Sequence, residues 1–118
     1  MAKRILSIVG DAGLRNARRM LLEAQGYEVV SASDFKEVRE ACENASFDLV
    51  IIGHSLDPKT KRAIAVTIRE HTPGVPILEM CLVSPEIKDA EFSTSDSPAD
   101  LIASVRRILQ MDEIPGSK

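Results

Sequence analysis

The sequence predicts an α/β fold: a doubly wound, five-stranded parallel sheet of order 2-1-3-4-5, with helices on both faces. Three observations carry that expectation. Short continuous apolar runs alternate with segments of helical spacing along the chain. The joints between them are a few residues long, which suits right-handed strand–helix–strand crossovers. The apolar runs are also too continuous for strands with one wet face, and fit strands covered on both. At 118 residues the chain makes one domain, expected over residues 1–111, with a flexible tail over 112–118.

"ILSIV" (Ile5–Val9) reads as the first strand. The helix after it places Leu14, Ala17, Leu21 and Ala24 on one stripe and stops near Gly26. "EVVSA" (Glu28–Ala32) is the second strand. Asp34, with Glu37 three residues on, forms a capping box that opens a helix with Phe35, Val38, Cys42 and Ala45 aligned. "LVIIG" is the third strand, and Asp57-Pro58 caps a helix running towards His71 with Ile64 and Ile68 inward. "PILEMC" (Pro76–Cys81) is the fourth strand. A short fifth strand falls near Glu91–Ser93. Ser97-Pro98, with Asp100, opens a last helix striped by Leu101, Val105 and Ile108. Between Cys81 and Thr94 there is too little chain for a loop, a strand and an average helix of about 11–12 residues. The fourth helix is therefore expected to be shortened or missing.

Composition excludes several classes. A net charge of −3 and an aromatic content of 3%, with no Trp, argue against nucleic-acid binding, which needs a basic face or stacking platforms. Arg15, Arg18 and Arg19 read as a solvated helix face beside Glu23. No apolar run approaches the roughly 20 residues that cross a bilayer, and nothing resembles a signal peptide, so no membrane association and a cytoplasmic location are expected. Cys42 and Cys81 lack CxxC spacing and are expected to stay reduced, Cys42 as a buried thiol. Glu79, inside an apolar strand, is expected to reach water on a face left uncovered by the short fourth helix.

In open α/β sheets the chemistry gathers beyond the carboxyl ends of the strands. There the chain offers Asp11 after the first strand, His54 after the third and Cys81 after the fourth. These three could in principle ligate zinc, but their spacing matches no ligand motif, and no metal or cofactor is expected. No nucleophile–base pair and no phosphate-binding glycine motif is present, so the chain is not expected to be an enzyme.

The stretches "LLEAQGYEVVSA", "FDLVII", "VPIL" and "SPADLIASVRRIL" occur in collinear order and resemble the receiver domain of bacterial response regulators, the CheY-like family with the flavodoxin-like sheet order. The resemblance spans essentially the whole domain. It implies phosphoryl transfer from a histidine kinase to an aspartate ending the third strand, beside a magnesium ion held by two acids ending the first. It also implies a Thr or Ser ending the fourth strand and a Lys ending the fifth. Carried over position by position, the acceptor falls on Gly53, the acid pair on Val9 and Gly10, the hydroxyl on Cys81 and the lysine on Thr94. Asp11 occupies the next, non-essential place. No phosphoacceptor is expected.

The resemblance thus implies a stand-alone receiver-like module of two-component, phosphorelay signalling. It would be non-phosphorylatable and act as an adaptor on a histidine kinase, another regulator or itself, a homodimer included. The alternative is a sensor of a small anion or nucleotide, using room that Gly10, Gly13 and Gly53 clear at the sheet edge.

Overall fold

A computed structural model describes residues 2–54, 56–81, 90, 92–95 and 97–113. Five strands, β1 (Arg4–Ile8), β2 (Glu28–Ala32), β3 (Leu49–Ile52), β4 (Ile77–Met80) and β5 (Phe92–Thr94), form one sheet of order β2-β1-β3-β4-β5. Every pairing is parallel, as the continuous apolar runs require. The described helices are α1 (Ala12–Glu23), α2 (Phe35–Asn44), α3 (Pro58–His71) and α4 (Pro98–Glu113). The expected shortening of a helix between β4 and β5 falls on residues outside those described. α4 runs into the segment expected to be a tail.

β3 and β4 are buried along their whole length, while the edge strand β2 alternates. One face of the sheet, with Leu6, Ile8, Val50 and Ile52, packs on Val38 of α2 and on Ile64 and Ile68 of α3. The other face, with Ile5, Leu49, Ile51 and Leu78, packs on Leu22 of α1 and on Leu101, Val105 and Ile108 of α4. Burying a Leu or Ile side chain stabilises by about 1.5–3 kcal/mol, so these two layers dominate the energetics.

The helix starts follow the sequence. Asp11, Asp34 and Asp57 are N-caps whose carboxylates accept from the backbone amides of Leu14, Glu37 and Thr60 at 3.0, 2.9 and 2.8 Å. Pro58 stands at the start of α3, where its missing N–H costs nothing. The α2 capping box differs from the expected form in one respect. Glu37 accepts from the amide of Ser33 at 2.6 Å, one residue before the cap. α1 ends ahead of Gly26, whose φ of 95° belongs to the left-handed region that glycine enters freely.

Cys42 is 9% exposed. Burial, and secondarily the nearby Glu43 carboxylate, push its thiol above the ordinary value. That is the inert thiol the pattern predicted. Among the described residues no helix is long and apolar enough to cross a membrane.

Candidate functional site

Because all the strands are parallel, their carboxyl ends share one edge. Val9, Gly10 and Asp11 follow β1, Gly53 and His54 follow β3, Cys81 follows β4, and Thr94 ends β5. Backbone bonds carry the ladder past the strand ends. The amide of Val9 donates to Ala32 O at 3.0 Å, that of Gly53 to Ile8 O at 2.8 Å, and that of Cys81 to Thr94 O at 2.9 Å. Cys81 Sγ also lies 3.7 Å from the Thr94 carbonyl oxygen.

Gly53 is closely surrounded at this edge. A Cβ built on it would lie 2.9 Å from the Ile8 carbonyl oxygen and 3.0 Å from Nη1 of Arg18. The first distance is one that carbon and backbone oxygen do not tolerate without movement. The second shows what stands beside the β3 tip: the guanidinium of an arginine from α1. Nη2 of the same group lies 3.3 Å from Nδ1 of His54. A guanidinium only donates, so in this contact Nδ1 is the acceptor.

Arg18 was expected on a solvated face, and the structure corrects this. It is 6% exposed. With Leu22 one turn on, it forms the buried face of α1, and its aliphatic stem carries the charge to the sheet edge. Arg15 is half-buried and donates from Nη1 to Ser33 Oγ at 2.6 Å, whereas Arg19 is exposed. The expected stripe of Leu14, Ala17 and Leu21 faces the core only in part: Leu21 packs, half-buried, against it, and Ala17 is exposed. With Arg18, Pro98 and Leu101 the stripe lines a cavity of about 220 Å³ between α1 and α4.

A second correction concerns Glu79. It is fully buried, and its Oε2 lies 3.1 Å from Nζ of Lys61, which is 1% exposed. Nζ also reaches Met80 O at 3.4 Å. A carboxylate inside a sheet needs a countercharge more than it needs water, and α3 supplies one from its inner face. The signal was present in the sequence. Lys61 precedes Ile64 and Ile68 by three and seven residues, on the stripe read as apolar, and Glu79, an acid in the middle of an apolar strand, is its complement.

The expected site residues are thus partly assembled. Gly53, His54 and Val9 meet around Arg18, with Val9 Cα 3.7 Å from the Gly53 Cβ position. Cys81 and Thr94 adjoin one another. Asp11 is engaged in capping α1, and among the described residues no cluster of three or more His, Cys, Asp or Glu side chains could hold a metal. The room that Gly53 was expected to clear is taken up by the guanidinium.

The geometry can be set beside known proteins. No family model matches the chain. Fifty residues, 42% of the chain, are 42% identical to part of the CAI-1 autoinducer sensor kinase/phosphatase CqsS of Vibrio cholerae, and the match spans only 7% of that protein. Solved structures match nearly end to end. A CheY-like response regulator receiver domain protein from Methanospirillum hungatei aligns with a TM-score of 0.83 at 21% identity, over 98% of this chain and all of its own. The chemotaxis protein CheY4 of Vibrio cholerae aligns at 0.81 and 23% identity, over 92% of this chain and 99% of its own. Response regulator TrrA of Thermotoga maritima, in complex with Mg(2+)-BeF, aligns at 0.78 and 21% identity, over 90% and 98%.

A doubly wound sheet with its polar groups collected at the carboxyl edge is the class the chain belongs to. Within that class its fold is that of the response-regulator receiver domain, in strand order and in extent.

Proposed function

We propose that the chain is a receiver-type module of two-component signalling that accepts no phosphoryl group and works by contact with another protein. The observation that carries this reading is the β3 tip. Where the resemblance calls for an aspartate there is Gly53, with a backbone oxygen 2.9 Å and a guanidinium nitrogen 3.0 Å from where a Cβ would stand. In-line attack needs a nucleophile that can approach the phosphorus, and a bound cation needs hard oxygen ligands. Val9 and Gly10 supply no carboxylate. Cys81 and Thr94 stand where the resemblance calls for a hydroxyl and a lysine.

Partner binding is what remains once that chemistry is removed. A conformational equilibrium shifts only for a ligand that prefers one state. For this chain that ligand is a protein: a histidine kinase, a second regulator or another copy. The sequence match to a segment of a sensor kinase/phosphatase supports a setting in bacterial two-component signalling.

The test is incubation with acetyl phosphate and Mg²⁺, read by intact-mass spectrometry, with beryllofluoride and Mg²⁺ followed by thermal shift. No added phosphoryl mass and no change in melting temperature are expected. A phosphoryl group mapped to Asp11 or His54, or stabilisation by beryllofluoride, would overturn the reading.

A further inference from the structure

Arg18 belongs to two places at once. Its side chain is part of the wall of the cavity between α1 and α4, beside Ala17 and Leu101. Its guanidinium ends at the β3 tip, 3.0 Å from the Gly53 Cβ position and 3.3 Å from His54 Nδ1.

We propose that Arg18 is a relay: packing in the α1–α4 cavity sets where its guanidinium lies, and that position sets the conformation of Gly53 and His54. The inference rests on the protein-contact reading above and supplies its moving part, since contact at α1 then does what phosphorylation does not. The physical basis is the close packing at the guanidinium end. Arg18 is 6% exposed, so a neighbour that fills the cavity displaces its stem within packed surroundings and carries the guanidinium with it. Gly53 has no side chain of its own to hold its backbone, and its amide bond to Ile8 O lies in the same crowded spot. Packed interiors transmit displacement because they contain little slack. The two ends of the relay define it, and a side chain engineered into the cavity suffices to drive it.

Ala17 is exposed on α1 and lines the cavity, so a longer side chain enters the space at little cost to the fold. The experiment compares amide chemical shifts of the full chain with those of Ala17→Met and Ala17→Phe, in the wild-type background and with Arg18→Met, which keeps the aliphatic stem and removes the guanidinium. With Arg18 present, the Gly53 and His54 amides should move well above the spectrum-wide average. With Arg18→Met, the same cavity substitutions should leave them at that average, a coupling that only a paired comparison reveals. Should Arg18→Met not fold, the Arg18 Nε–H resonance in the two Ala17 variants is the second reading, and it should move together with Gly53. Unmoved Gly53 and His54 amides in both Ala17 variants, or equal movement without the guanidinium, overturn the relay. Neither result touches the phosphodonor test, so the two failures are distinguishable.

Discussion

Among the described residues two basic side chains are buried, one on each face of the sheet, and they are stabilised in different ways. Lys61 comes from the inner face of α3, is 1% exposed and meets a full carboxylate, Glu79, at 3.1 Å. Arg18 comes from α1, is 6% exposed and meets a ring nitrogen of His54 at 3.3 Å. The first charge is compensated in a dry place. The second is delocalised over a planar group next to the sheet edge and the backbone of Gly53. A compensated pair is rigid because separating it exposes two charges to an apolar medium, whereas a planar, delocalised guanidinium presents several donor directions and can be re-aimed among them. The α3 side is therefore the fixed half of the scaffold, and the α1 side is the adjustable one.

The largest expected effect tests the fixed half. Lys61→Met leaves Glu79 buried without its cation and should cost about 3–5 kcal/mol, read as a lowered urea midpoint. Lys61→Met combined with Glu79→Leu should recover most of that loss, because apolar replacements of a buried pair are close to neutral. If the double variant is as unstable as the single one, the pair is not what fixes this side.

A smaller effect is expected at the adjustable half. Gly53→Ala drives a methyl against the Ile8 carbonyl and the guanidinium and should cost about 1–3 kcal/mol, the range for overpacking. Arg18→Met should cost less than Lys61→Met in the same urea series, since the described side-chain contact it removes is to a ring nitrogen and not to a buried carboxylate. Equal losses at Arg18 and Lys61 would erase the contrast between the two faces.

The smallest effect is a pH dependence confined to the start of α3. The Asp57 carboxyl lies below the ordinary 3.8, first because the Thr60 amide donates to it and then because the Thr60 hydroxyl does. A carboxyl lowered on folding contributes stability that is fully present above its unfolded value and is lost as pH falls through the folded one. Amide exchange at Thr60 and Lys61 should therefore rise below that ordinary value, and Asp57→Asn should flatten the change. Asp57 is solvated, so the shift should be small and sensitive to salt.

Much of this was legible in the sequence. The strand order, the Asp11, Asp34 and Asp57 helix starts, the Gly26 stop and the inward positions of Ile64, Ile68, Leu101, Val105 and Ile108 follow from periodicity and turn chemistry, which are local. Arg18 and Glu79 were misread because charge was taken as a proxy for exposure, and Lys61 was not singled out although it stands on the apolar stripe of its helix. How far the stems of Arg18 and Lys61 reach from a helix to the sheet is a tertiary matter that periodicity alone only hints at. At the site, that the receiver-domain resemblance lays its acid pair on Val9 and Gly10 and its acceptor on Gly53 could be read from the sequence. That a guanidinium stands beside the β3 tip could not, because Arg18 is separated from His54 by 36 residues.

The Lys61–Glu79 contact joins residues 18 apart in the chain and fastens a helix to the fourth strand. Lifting α3 away would mean pulling opposite charges apart with no water at hand to receive them. Slow breathing of the protein should therefore leave that weld closed and open first along the seam between the first helix and the last.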